Sequence, residues 1–151
     1  MTKPGTSLSA LITAFGLAVT ISCTPEACFE ETNAYLKATF YNNASKEKEA
    51  PANLTLIGLN KTDTLYNKDS GIQPALFPLD ASNDTCTFII RINEITDTLQ
   101  FIYSSYPHLI SKECGYTFYH RLDTFISSNI YIYKSSNNIT TSNEENIRIF
   151  Y

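Results

Sequence analysis

Three residues in the C-terminal half are of the types that thiol hydrolases use: Cys114, His120 and Asp123. A cysteine becomes a nucleophile when a histidine within hydrogen-bond reach takes its proton. In a continuous strand, Cys114 and His120 would lie about 20 Å apart, at roughly 3.3 Å per residue. We therefore expect no catalytic residues and no enzymatic activity, and we interpret Cys114 as a disulfide cysteine and His120 as a residue of a β-sheet.

A short acidic segment carries the oxygen ligands that calcium prefers, namely Asp80, Asn83 and Asp84. Their spacing lacks the D-x-[DN]-x-[DN]-G order that places oxygens around the ion, so a solvated turn is the better interpretation. The sequence also has no histidine cluster, no glycine-rich phosphate loop and no C-x-x-C pair. We therefore expect neither a metal site nor a cofactor.

Tyrosine is the residue type that most suggests a binding surface, because it combines apolar area with a polar tip. Exposed tyrosines in a row could stack on sugar rings or form a protein-binding face, whereas the alternative is ordinary cross-strand packing of aromatic rings. The candidates for a ligand surface are Tyr106, Tyr116, Tyr119, Tyr131 and Tyr133.

The elements that position these residues are short apolar runs separated by turns rich in Asn, Asp, Ser and Thr. Alternation is clearest in Thr85 to Ile92, and no stretch shows a sustained helical period. Pro74 and Pro78 suit an edge strand or an irregular crossing, because proline donates no ladder hydrogen bond. The other predicted strands are Ala34 to Phe40, Leu54 to Leu59, Thr64 to Tyr66, Leu99 to Tyr103, Tyr116 to Phe125, Asn129 to Tyr133 and Ile147 to Tyr151.

These strands predict an all-β fold over residues 32–151: a single-domain β-sandwich, immunoglobulin-like or related, with a small barrel as the alternative. The chain has 151 residues, enough for one sizeable core. We expect the core to contain Cys86, Phe88, Ile90, Ile92, Leu99, Phe101 and Ile132.

The first 22 residues have the anatomy of a signal peptide. Lys3 gives a basic start, and Leu8 to Ile21 is an apolar run of 14 residues, shorter than the roughly 20 that span a bilayer as a helix. Thr20-Ile21-Ser22-Cys23 resembles a lipobox, although Thr20 stands where leucine or valine is usual. We expect a lipid on Cys23, a short tether over residues 23–31, and a place in the cell envelope, anchored to the inner or outer membrane. Ordinary cleavage near Ser22 is the alternative.

The charge balance argues against nucleic acid as a partner. Lys3 is the only charged residue before Cys23, which leaves ten basic and 15 acidic residues in the remainder. The basic residues form no cluster in the sequence, and phosphate binding requires one. The expected partners are instead the membrane, through the N-terminal lipid, and an envelope protein or glycan.

Alternation also decides which cysteines form a disulfide in an oxidising envelope. Cys86 is in phase with Phe88 and Ile90, so it should point into the core as a small buried hydrophobe. Cys28 and Cys114 lie at the ends of predicted elements, where a bridge leaves the hydrogen-bond ladders intact. We predict the pair Cys28–Cys114.

Three stretches together resemble an uncharacterised family of Bacteroidetes lipoproteins, a domain of unknown function: Ile95 to Phe101, Tyr106 to Phe118 and Asn143 to Phe150. The likeness covers most of the mature chain, and Ser111-Lys112-Glu113-Cys114-Gly115 is its most specific part. It implies an envelope lipoprotein, with no catalytic residues to carry over. It also implies O-glycosylation at Thr64 and Thr98, because proteins of this phylum are modified at Asp-Thr or Asp-Ser followed by an apolar residue.

Overall fold

Ten β-strands make up the regular structure of residues 28–151, the part of the chain that the computed structural model describes. The predicted signal peptide 1–22, the predicted lipidation site Cys23 and the first residues of the predicted tether lie outside the described residues. The strands are β1 (Tyr35–Tyr41), β2 (Leu54–Gly58), β3 (Thr64–Asp69), β4 (Ala75–Pro78), β5 (Thr85–Ile92), β6 (Ile95–Ser111), β7 (Gly115–Ile126), β8 (Tyr131–Lys134), β9 (Asn138–Ile139) and β10 (Ile147–Phe150).

The strands form two sheets that enclose one core. Four strands make the first sheet, in the order β4-β1-β10-β8, and β1 and β10 run parallel there. Six strands make the second, in the order β3-β2-β5-β6-β7-β9, with every neighbouring pair antiparallel. The prediction of an all-β sandwich is confirmed. Among residues 28–151, no helix is long and apolar enough to span a membrane.

The core lies where the alternating faces of the two sheets meet. Phe77 of β4 packs edge-on against Phe88 and Phe101 of the opposite sheet, with ring centroids 5.2 and 5.4 Å apart. The predicted core residues are buried, with one correction. Cys86 is only half-buried and packs against the edge of the core, because β2 pairs with β5 only as far as Phe88 and leaves Cys86 beyond it.

β4 is an edge strand, as its prolines predict. Phe77, which pairs with Leu36 of β1, is fully buried, whereas Pro78 at the end of the strand is partly exposed. The missing proline N–H therefore removes no bond from the interior of the sheet.

The hairpin of β6 and β7 is the longest feature of the fold, with strands of 17 and 12 residues. Its turn ends at Gly115, whose φ of 73° lies in the left-handed region that glycine adopts without a steric penalty. β5 pairs with β6 only as far as Ile102. Beyond that residue, β6 continues with β7, which β9 borders as far as His120, and from Tyr106 and Tyr119 to the turn the pair is a two-stranded ribbon.

Candidate functional site

The Cys114 sulfur is not free to act as a nucleophile, because it is bonded to Cys28. The disulfide joins residues 86 positions apart in sequence, with their Cα atoms 4.8 Å apart. The predicted Cys28–Cys114 pair is confirmed. Cys86 is the free cysteine of the described residues.

His120 is a hydrogen-bonded histidine of the core. Its Nδ1 lies 2.8 Å from Ser105 Oγ, and its ring stands edge-on to Tyr103 at 5.4 Å. The side chain is buried, and this burial lowers its pKa below the ordinary value. Asp123 is exposed on the same strand, so the three residue types of a thiol hydrolase do not form a catalytic group.

Asp80 organises a turn. Its carboxylate accepts hydrogen bonds from the Ser82 N–H at 2.8 Å and from Asn83 Nδ2 at 2.6 Å. These bonds, led by the one from Ser82, hold the pKa of the Asp80 carboxyl below its usual range. The turn is fixed to the sandwich by Tyr103, whose hydroxyl donates to the Asp80 carbonyl at 2.9 Å. Within residues 28–151, no group of three or more His, Cys, Asp or Glu side chains is placed to hold a metal ion.

The five candidate tyrosines do not form one row, and the expectation of a single surface was wrong. Tyr131 and Tyr133 belong to β8 of the four-stranded sheet, whereas the other three lie on the β6–β7 hairpin. There Tyr106 and Tyr119 are direct cross-strand partners with their rings edge-on at 6.2 Å. Tyr116 is three residues from Tyr119 and alternates onto the opposite side of the hairpin.

Tyr131 and Tyr133 form the exposed part of an aromatic surface that we call the β8 face, together with Tyr41, Arg148 and Phe150. The two tyrosines are 62% and 52% exposed. Tyr131 contacts Phe150 at 5.5 Å between centroids, and Phe150 stacks on Tyr41 at 5.3 Å. Tyr131 and Tyr133 are thus the exposed rings of this face, whereas Tyr41 is buried beneath Phe150 and supports it.

Arg148 fixes the polar side of the β8 face. Its guanidinium lies 5.5 Å from the Tyr41 ring centroid and 5.8 Å from that of Tyr133. Arg148 Nε donates to Glu145 Oε1 at 2.6 Å, and this bond with the accompanying charge attraction raises the pKa of Arg148. The Tyr41 hydroxyl also donates to Glu145, at 3.2 Å. These contacts hold the Tyr41 and Tyr133 rings against Arg148.

The chain leading into β8 is held by Asp97. Its buried carboxylate accepts the N–H groups of Asn129 at 2.8 Å and Ile130 at 2.9 Å, and also those of Ser128 and Thr98. Burial by itself would raise the pKa of Asp97, but the four backbone hydrogen bonds together outweigh it and lower the pKa. This carboxylate thus places Tyr131, one residue beyond Ile130.

The end of the β6–β7 hairpin carries a second exposed apolar surface, which we call the tip patch: Pro107, Leu109, Tyr116 and Phe118. Leu109 is paired directly with Tyr116, and Pro107 with Phe118. Leu109, Tyr116 and Phe118 are 47%, 74% and 48% exposed. The disulfide holds Cys28, and with it the exposed Phe29, beside this end of the hairpin.

A family model described as a family of unknown function, DUF6452, matches residues 53–151. The chain belongs to the DUF6452 family. The matched range contains the tip patch and the β8 face except Tyr41, and it leaves out β1 and Cys28. No curated protein and no solved structure matches the chain.

The DUF6452 sandwich also has a groove at one end, with a volume of about 640 Å³. The turn between β2 and β3 forms one wall, and the Asp80 turn forms the other. Its lining mixes the apolar Leu59, Leu79 and Phe88 with the charged Lys61. This volume falls in the range of small-molecule sites, although the groove is open to solvent.

The two predicted O-glycosylation sites of the DUF6452 chain have exposed threonines but different surroundings. Thr64 and the preceding Asp63 are both exposed at the start of β3. Thr98 is exposed on β6, whereas Asp97 beside it is buried and fully occupied by the β8 turn. Modification of either threonine stays a prediction.

Sequence reasoning missed Phe150 and Arg148 of the β8 face, as well as Phe29, Leu109 and Phe118 near the hairpin end. The alternation of Arg148 and Phe150 in Ile147–Phe150 was visible in the sequence. Which strand would lie beside β10 was not, because pairing between distant strands leaves no local signal.

Proposed function

We propose that this chain is a non-catalytic lipoprotein of the cell envelope, whose β-sandwich binds or scaffolds another macromolecule near the membrane. The segment 1–22 acts as the signal peptide, and Cys23 becomes the diacylated N-terminus. We also propose that the chain is one of the Bacteroidetes lipoproteins that its sequence resembles. The acidic balance of the mature chain supports a partner other than nucleic acid.

The Cys28–Cys114 disulfide is the observation that carries this proposal. Structural disulfides persist in oxidising compartments, such as the bacterial periplasm and cell surfaces, and are rare in the cytosol. The bridge also fastens the chain only five residues after Cys23. A lipid on Cys23 would therefore hold the folded domain close to the bilayer.

Metabolic labelling with a fatty-acid probe tests the anchor. We expect the full chain, expressed in a host that processes lipoproteins, to carry the label, and Cys23→Ala to lose it. Cys86→Ala is the matched control, because Cys86 is the free cysteine of the described residues and its loss should leave labelling unchanged. Labelling that survives in Cys23→Ala would refute the proposal.

Glycan binding at the β8 face is the second candidate. Exposed, pre-positioned rings with charged groups beside them suit a flat sugar, which offers apolar C–H faces and hydroxyl groups. The observation that favours it is the joint exposure of Tyr131 and Tyr133, on one side of one strand.

Calorimetric titration with polysaccharide from the envelope of the source organism tests this candidate. Tyr131→Ala and Tyr133→Ala should each weaken binding about three- to tenfold, since an aromatic contact contributes roughly 0.5–1.5 kcal/mol. Tyr106→Ala is the control, because Tyr106 is similarly exposed on the other sheet. Equal losses in all three variants would contradict a site on the β8 face.

A further inference from the structure

The tip patch is an exposed surface made of the kind of apolar side chains that usually form a core. Along β6 and β7, its residues alternate in phase with Tyr103 and Leu122, which are fully buried. Tyr103 pairs with Leu122, and the tip residues continue the same side of the ribbon. The hairpin extends beyond the part of the sandwich where the facing sheet covers that side. Apolar side chains are thus left about half or more exposed at the tip, although Phe118 also lines a shallow crevice with Ala34 and Leu79.

Chain length places this surface near the lipid. Cys28 is the fifth residue after Cys23, so their Cα atoms can be at most about 18 Å apart. The disulfide adds only the 4.8 Å between the Cα atoms of Cys28 and Cys114. Without the bridge, twelve residues from Cys23 to Tyr35 would give a reach of about 40 Å. The bridge therefore keeps the hairpin end, rather than the start of β1, nearest the anchor.

The composition of the hairpin end favours an interfacial contact over an electrostatic one. Phe29 and Tyr116 are the most exposed large apolar side chains of the described residues, at 92% and 74%. Aromatic side chains are enriched at membrane interfaces, where one end is apolar and the other wet. Charged residues around the turn are mainly acidic, with Glu30, Glu31 and Glu113 against Lys112. A requirement for anionic lipid is therefore not expected.

We propose that the tip patch and Phe29 form a membrane-contact surface, resting in the headgroup region of the bilayer that holds the Cys23 lipid. This inference rests on the proposed lipidation. The contact orients the sandwich with the hairpin end toward the membrane. The β8 face lies on the other sheet and stays accessible to a partner.

The sequence contains no tryptophan, so a single introduced tryptophan reports only its own position. The lipidated full chain is reconstituted into phosphatidylcholine vesicles with or without bromine on the acyl chains, because bromine quenches nearby tryptophan. Tyr116→Trp reports the tip patch, and Tyr131→Trp is the matched control on the β8 face. Both positions are exposed, at 74% and 62%, so both variants should fold, as circular dichroism will check.

We expect brominated lipid to quench the Tyr116→Trp emission about twofold or more, because interfacial aromatics lie at headgroup depth, and to leave Tyr131→Trp unchanged. The quenching should not depend on salt. Equal quenching of both variants, or of neither, overturns the membrane contact while the fatty-acid label shows the anchor intact. If the Tyr116→Trp emission is not quenched but shifts in wavelength as the protein density on the vesicles rises, a second copy of the chain covers the tip patch. That result also overturns the membrane contact. If the protein carries no fatty-acid label and does not float with the vesicles, the proposed function itself is refuted.

Discussion

Replacing Asp97 should destabilise the sandwich more than any other exchange of an acidic residue that the structure suggests. The Asp97→Ala substitution removes the acceptor of four backbone N–H groups. The Ile130 N–H is buried, and leaving it unpaired costs about 1–3 kcal/mol. The N–H groups of Thr98, Ser128 and Asn129 belong to exposed residues and can turn to water, so each adds only about 0.5–1 kcal/mol.

The sum is a loss of about 2.5–6 kcal/mol in the free energy of unfolding, a large part of the 5–15 kcal/mol typical of a domain. Asp97→Asn keeps one oxygen acceptor and should lose less. Urea denaturation followed by circular dichroism gives these values for the disulfide-bonded protein. Asp123→Ala, an exposed aspartate on β7, is the control and should stay within about 0.5 kcal/mol of wild type.

The Asp97 carboxylate also predicts that the free energy of unfolding decreases in acid. The folded state lowers the pKa of Asp97, so its contribution is fully present above the unfolded value of about 3.9. It is lost as the pH falls from there through the folded value, because the folded state must then bind a proton it disfavours. The free energies of wild type and Asp97→Asn should therefore converge in acid. A constant difference at all pH values, or a loss below about 1 kcal/mol in Asp97→Ala, would refute this reasoning.

Three further results are expected. Replacing both Cys28 and Cys114 by serine should cost up to about 4–5 kcal/mol in denaturant titrations, from the entropy of a long closed loop, and an unchanged midpoint would contradict this. Phe101→Ala should cost about 3–5 kcal/mol through lost burial and an unfilled cavity, whereas the exposed Ile89→Ala should cost far less; equal costs would contradict the packing. Burial lowers the pKa of His120, so stability should fall as the pH drops below about 6.5, where the unfolded state binds the proton. The His120→Gln variant should show a flatter dependence of stability on pH, and an unchanged dependence would contradict this prediction.

Local patterns were enough to predict the class of fold and most of its core. The alternation in β5 fixes which side of the strand is buried, and Phe88, Ile90 and Ile92 follow it. The phase of Cys86 also left Cys28 and Cys114 as the disulfide pair. Cys86 itself is half-exposed, because alternation gives the direction of a side chain but not how far the facing sheet extends.

The candidate surfaces depended on contacts between distant residues, and the sequence did not show them. Tyr131 follows the hairpin closely in the chain, yet β8 pairs with β10 in the other sheet. The predicted strand at Leu99 ended at Tyr103, whereas β6 runs on through Pro107, which is tolerated because β7 is the only strand beside β6 there. In the sequence, Asp63 and Asp97 each precede a threonine and look equivalent. In the structure they differ, because the turn at Ser128 to Ile130 donates hydrogen bonds to the Asp97 carboxylate.

Mass spectrometry of the protein purified from the cell envelope tests the central proposal most directly. Non-reducing proteolysis should yield an N-terminal peptide that begins at Cys23, carries a diacylglyceryl group and is linked through Cys28 to the peptide containing Cys114. The acyl mass and the linkage in one species would place the lipid five residues from the bridge. A mature N-terminus elsewhere, or an unmodified Cys23, would contradict the proposal that this sandwich is an anchored lipoprotein.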